Sequence, residues 1–187
     1  MNLLEQEKAA SCLRAFVVAF LLSACGGLVL VSAQSRSSDW PQWRGPNRDG
    51  VVTSFTEPKA WPEQLTKKWK VDVGLGYATP ILIGSRLYMF SRQEDNEVMA
   101  ALEAETGKAI WQTRYAAPFK INPAAARHEK GPKSTPTFAN GKLYTLGMTG
   151  IVTAFDAATG KQLWQKPAPP VEPLYHTGMS PLVDRDS

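Results

Sequence analysis

Apolar positions along this chain come in short runs rather than long stripes. Ile81-Leu82-Ile83, Leu87-Tyr88, Met99 with Ala101-Leu102, Phe138-Ala139, Leu143-Tyr144, and Val152 with Ala154-Phe155 alternate with polar and glycine-bearing stretches. Runs this short, bounded by turn residues, predict half-buried β-strands. The exception is Ala15 to Val31, a longer apolar stretch preceded by Lys8 and Arg14 and broken by Gly26-Gly27. That make-up belongs to a targeting segment and not to the fold.

The strand pattern repeats. Ala101 to Trp111 reads Ala-Leu-Glu-Ala-Glu-Thr-Gly-Lys-Ala-Ile-Trp, and Ala154 to Trp164 reads Ala-Phe-Asp-Ala-Ala-Thr-Gly-Lys-Gln-Leu-Trp. Both fit Ala-x-(Asp/Glu)-x-x-Thr-Gly-Lys-x-x-Trp, and self-similarity of this kind signals an array. Ala101 and Ala154 lie in the incoming strand. Glu103 and Asp156 open the turn, where a carboxylate can accept backbone N–H groups. Thr106-Gly107 and Thr159-Gly160 close it, each glycine supplying the positive φ that such a loop needs. Trp111 and Trp164 then bring a large ring to the returning strand, suited to a packed seam.

Upstream the likeness continues, from Thr79-Pro80 through Leu87-Tyr88 in one copy and from Thr135-Pro136 through Leu143-Tyr144 in the other. The copies are offset by 56 residues there and by 53 at the glycine and Trp, which places three extra residues around Gln93 to Asn96 in the first. Insertions of this size are expected in a turn. Each unit is then four short strands, too small a sheet to bury both faces alone, and such units stack radially as blades.

These motifs resemble the repeat of the pyrroloquinoline-quinone (PQQ)-type β-propellers. That superfamily includes quinoprotein alcohol dehydrogenases, whose tryptophan-docking motifs lock neighbouring blades, and non-enzymatic relatives such as the outer-membrane assembly lipoprotein of the β-barrel machinery. The resemblance implies an all-β propeller of four-stranded antiparallel blades over residues 69–187. Propellers carry about four to eight blades. Here two are expected plus the start of a third at Ser180-Pro181-Leu182-Val183, an incomplete ring that reads as an N-terminal fragment. Trp69 resembles the outermost-strand Trp of the repeats, as if closing a blade encoded elsewhere.

The chain carries 21 Lys and Arg against 17 Asp and Glu, a net charge of +4 without any basic run, so nucleic acid is not an expected partner. Residues 1–33 are expected to be a signal peptide cleaved after Val31-Ser32-Ala33. A competing reading takes Leu22-Ser23-Ala24-Cys25 as a lipobox with lipidation at Cys25, and a third leaves the segment as an uncleaved anchor. All three place the body outside the cytoplasm, with any membrane attachment through that anchor. Cys12 and Cys25 are the chain's two cysteines, so the exported body must rely on its packed core.

Residues 34–68 form a Trp/Pro-rich lead-in, in which Asp39 to Gly50 is expected to clamp the surface through Arg44 or Arg48 over an indole. The connection from Ala116 to Lys133 is long, and its His128 is read as a solvated loop residue. No catalytic or metal-ligating set is identified. The reading is a non-catalytic binding or scaffold module of the bacterial envelope with no cofactor, whose loops meet a protein or envelope component. The alternative is a fragment of a PQQ-dependent alcohol dehydrogenase, which would require the quinone with Ca²⁺.

Overall fold

Two four-stranded antiparallel sheets follow one another along the chain, as the strand pattern predicts. The computed structural model describes residues 38–53, 55–171, 173 and 175–184; the targeting segment, with Cys12 and Cys25, lies outside the described residues. The first sheet holds β1 (Ile81–Ile83), β2 (Arg86–Gln93), β3 (Asn96–Glu103) and β4 (Ala109–Ala116) in that order. The second holds β5 (Thr137–Ala139), β6 (Lys142–Leu146), β7 (Val152–Asp156) and β8 (Gln162–Lys166). Between them runs the long connection, which contains a 3-10 turn from Pro123 to His128 capped by the Asn122 side chain. This is the all-β blade architecture of a propeller, present as part of a ring.

Register shows how closely the two sheets copy each other. Tyr88 pairs with Ala101 and Ala101 with Trp111; in the second sheet Tyr144 pairs with Ala154 and Ala154 with Trp164. Each row sets a minimal side chain between two rings, so tyrosine and indole meet above it, with centroids 6.0 Å apart in the first sheet and 6.1 Å in the second. A β-bulge follows at the same place in both, between Ala101 and Leu102 and between Ala154 and Phe155. Bulges bend and twist the strand that carries the extra residue, here just before the indole.

Every sheet has two unlike faces. Tyr88, Phe90, Met99, Ala101 and Tyr115 of the first sheet form one buried cluster with Leu143, Phe155 and Ala157 of the second. The reverse side of the first sheet, through Ser91, Val98, Ala100 and Leu102, lies against residues 71–73. The Tyr144–Ala154–Trp164 row of the second sheet points the other way, and Trp164 is 45% exposed.

The three extra residues of the first copy do not simply enlarge a turn. They lengthen the hairpin, so β2 and β3 have eight residues each where β6 and β7 have five. Added residues that keep pairing across the ladder satisfy their own backbone groups, which a swollen loop would not.

Candidate functional site

The repeated motif is assembled at the junction of the two sheets. Asp156 Oδ1 accepts from the backbone N–H of Ala158 (3.1 Å) and Thr159 (2.8 Å) and from the Thr159 hydroxyl (2.7 Å). Gly160 closes the turn at φ 74° by donating to Asp156 O at 2.8 Å. In the first sheet Gly107 does the same at φ 72° toward Glu103 O. The longer Glu103 side chain is held only by the Thr106 hydroxyl, at 2.6 Å. The Asp156 carboxyl is held below its ordinary range, first by the Thr159 hydroxyl and then by the Thr159 amide.

Trp111 spans the junction. Its Nε1 donates to Ala157 O (3.2 Å), and Tyr88 Oη donates to that same oxygen (3.1 Å), so one carbonyl uses both lone pairs. The ring lies against Gly160, where a Cβ would come 2.4 Å from its Cε3 atom. Thr113 Oγ1 adds a bond to Gly160 O at 2.6 Å. The glycine therefore serves twice, for backbone conformation and for the close approach of an indole.

Trp69 repeats this arrangement one module earlier. Its Nε1 donates to Ala104 O at 3.1 Å, and a Cβ on Gly107 would lie 2.6 Å from its ring. Trp69 thus docks on the first sheet as Trp111 docks on the second. Sequence reasoning missed the acceptor, because a carbonyl has no side-chain signature. One signal was present: the residue after the acid is Ala104 in one copy and Ala157 in the other, small enough for the ring to reach the backbone.

A second link joins the modules at their Thr-Pro steps. Thr79 N donates to Thr135 Oγ1 at 3.2 Å, and Thr135 N donates to Ser180 Oγ at 3.0 Å. Each hydroxyl takes up the equivalent amide of the module before it.

At the other end of the sheets the lengthened β2–β3 hairpin leans over the shorter loop of its neighbour. Glu97, wholly buried, accepts from Met148 N (2.7 Å) and from Tyr115 Oη (2.7 Å). Gly147 leaves room for that carboxylate, since a Cβ there would overlap Glu97 Oε2. Burial raises the Glu97 carboxyl above its ordinary value, against the Met148 amide, the Tyr115 hydroxyl and the Arg92 charge. Burial, then the neighbouring Glu97, pushes the Tyr115 phenol up, so it stays a donor. Arg92, also buried, donates to Asp95 Oδ1 and Ala117 O, and its guanidinium lies 4.7 Å from the Phe119 ring centroid. Above these residues opens a cavity of about 510 Å³ lined by Asp95, Pro118, Phe119, Lys120 and Lys130. The long connection contributes most of that surface. His128 ends its 3-10 turn and is exposed.

Among the described residues, no three His, Cys, Asp or Glu side chains gather to form a group able to hold a metal ion. The motif residues of the two copies are brought into equivalent places, Ala101, Glu103, Thr106, Gly107 and Trp111 in one sheet and Ala154, Asp156, Thr159, Gly160 and Trp164 in the other. Trp164 lies in β8 and is 45% exposed.

Comparison with known proteins adds the family. Residues 48–186 match the family described as outer membrane protein assembly factor BamB. A curated protein of that name from Yersinia pestis is 27% identical over 126 residues, 64% of this chain, and the chain spans 31% of its length. Among solved structures, a europium-containing methanol dehydrogenase is 25% identical over 57% of this chain and 18% of its own, with a TM-score of 0.39. The quinohemoprotein alcohol dehydrogenase from Comamonas testosteroni is 23% identical over 50% of this chain and 13% of its own, at 0.35. BamB from Moraxella catarrhalis is 18% identical over 49% of this chain and 36% of its own, at 0.24. Repeat, register and a profile match over most of the length converge, and the chain belongs to the outer membrane protein assembly factor BamB family of PQQ-type β-propeller repeat proteins.

Proposed function

We propose that the chain acts as an exported, non-catalytic module of the bacterial cell envelope, presenting propeller loops to a protein partner. The observation that carries this reading is the junction itself. Asp156, Thr159, Gly160 and Trp111 are engaged in forming the turn or in locking one blade to the next. What remains for recognition is the loop face built by the long connection and the β2–β3 hairpin, with Lys120 and Lys130 beside Asp95 and Phe119. The relatives' description points to a component of outer-membrane protein assembly as the partner. Fold alone does not assign such a role. Export rests on residues 1–33, and lipidation at Cys25 would tether the module to a membrane; residues 34–68 are proposed as the lead-in to the propeller.

The competing activity is directly measurable. Full-length protein incubated with pyrroloquinoline quinone and Ca²⁺ is expected to reduce no redox dye when alcohols are added, and to co-purify in stoichiometric amount with an outer-membrane assembly protein. Alcohol-dependent dye reduction that requires both the quinone and Ca²⁺ overturns the proposal.

A further inference from the structure

The lead-in is held by its backbone as well as by the cations over Trp43. Trp40 pairs with Leu82 through both backbone bonds, Trp40 N to Leu82 O at 2.7 Å and Leu82 N to Trp40 O at 3.1 Å. This extends the free edge of β1. The next residue crosses to the second sheet, where Phe138 N donates to Pro41 O at 2.8 Å on the free edge of β5. Leu82 and Phe138 are equivalent positions, each two residues after the Pro of its Thr-Pro step. Their outward amides are therefore taken by consecutive carbonyls of one segment.

Side chains fix that segment at both ends. Asp39, 8% exposed, accepts from Gly84 N at 2.8 Å in the β1–β2 turn. Arg48 donates to Pro181 O and to Gln42 Oε1, both at 3.2 Å, reaching the third Thr-Pro-like step. Trp43 lies under both Arg44 and Arg48, each 5.5 Å from its ring centroid. Pro41 offers no N–H, which suits a residue whose carbonyl alone is needed at a sheet edge.

The stretch that follows is built differently. Residues 51–53 and 55–68 are exposed throughout and contain no strand or helix. A tether of this length spans tens of ångströms when extended, at about 3.3–3.6 Å per residue. The segment at 39–48 can therefore leave the two edges without pulling on Trp69 or the blades. Addition of an extended peptide to a sheet edge is a general mode of protein recognition, with main-chain bonds giving affinity and side-chain contacts giving specificity.

We propose that the outward edges of β1 and β5 form an acceptor cleft for an extended peptide, and that residues 39–48 are its resident, exchangeable occupant. The cleft selects an acidic residue for the Gly84 amide, followed by an aromatic residue and then proline, and a protein partner carrying that sequence enters by displacing the resident. Tethering favours the resident through its high effective concentration. The cleft is defined without reference to the loop-face partner, so either assignment can fail alone.

Residue-resolved amide exchange on the full-length protein tests this. A variant with Asp39→Ala and Trp40→Ala is expected to exchange the Leu82 and Phe138 amides about tenfold faster or more, while Phe90 and Met99 within the first sheet keep their protection. A synthetic peptide with the sequence of residues 38–50 should restore protection at both amides, and the same peptide carrying Asp39→Ala should not. Unchanged exchange at Leu82 and Phe138 in the variant, or no restoration by the intact peptide, overturns the proposal. If the double variant loses protection throughout, the single variant Asp39→Ala, whose resident lacks its contact with the Gly84 amide, decides: fluorescent peptide of residues 38–50 must bind it and be displaced by unlabelled peptide, and failure to bind overturns the cleft.

Discussion

Glu97 shows at a single side chain how burial and charge oppose each other. Desolvation raises its carboxyl above the ordinary 4.5, while the Met148 amide, the Tyr115 hydroxyl and Arg92 pull it back. A raised folded-state value means that the native state holds this proton more tightly than the unfolded chain. Its contribution to stability is therefore fully present below pH 4.5 and is lost as pH rises through the folded value. Glu97→Gln removes the titration and retains an oxygen for Met148 N. Melting temperatures measured from about pH 4.5 to 7 should fall less steeply with pH for this variant than for the wild type. Asp156 works in the opposite sense: its lowered carboxyl adds stability above its ordinary 3.8, lost as pH falls through the folded value. The role of Asp156 was legible because two copies share an acid before Thr-Gly. Glu97 was not, because it lies in the hairpin extension that the second copy lacks, so no repeat pointed to it.

At the level of elements, the hairpin turn and the indole are one device, and glycine substitutions can separate its two demands. Gly141 and Gly160 adopt nearly the same conformation, φ 73° and 74°, yet a Cβ on Gly141 meets nothing within 4 Å while one on Gly160 strikes the Trp111 ring. Gly141→Ala should cost about 1 kcal/mol through backbone strain alone. Gly160→Ala should cost about 2–4 kcal/mol, because strain is joined by displacement of a packed ring. Denaturant unfolding of the two variants checks this, and equal losses would mean that the indole is not seated as described. Strands, turns and the four-strand unit were readable from apolar periodicity and the two glycines. The partner of the indole was not, since Ala157 contributes a backbone oxygen and its side chain carries no sign of that use. Nor did sequence reveal where the lead-in runs: Trp, Pro and Arg between Asp39 and Arg48 indicate an irregular packed segment, but the Leu82 and Phe138 amides that receive it are identical in kind to every other amide.

For the molecule as a whole, the decisive property is that its two blade faces differ. The forward face of one sheet, with Tyr88, Ala101 and Trp111, receives the backward face of the next, with Leu143 and Phe155. Tyr144, Ala154 and Trp164 repeat the forward face, with Trp164 45% exposed. A preparation of residues 34–187 alone is expected to associate through this surface as its concentration rises. Sedimentation should show that association, and Trp164→Glu should weaken it while leaving the circular dichroism of the sheets unchanged. Loss of structure in Trp164→Glu would instead place that indole inside its own blade's core.

The one-way order of the hydroxyl links, from Thr79 to Thr135 to Ser180, carries a corollary for closure. A stack whose two ends are unlike has a polarity, and the same link recurs at every step. The covalent chain sets how many units there are, while the angle between neighbours sets how many are needed to bring the last unit back to the first. A change at one junction therefore leaves the number of blades as it is and shifts the place where the first and last would meet.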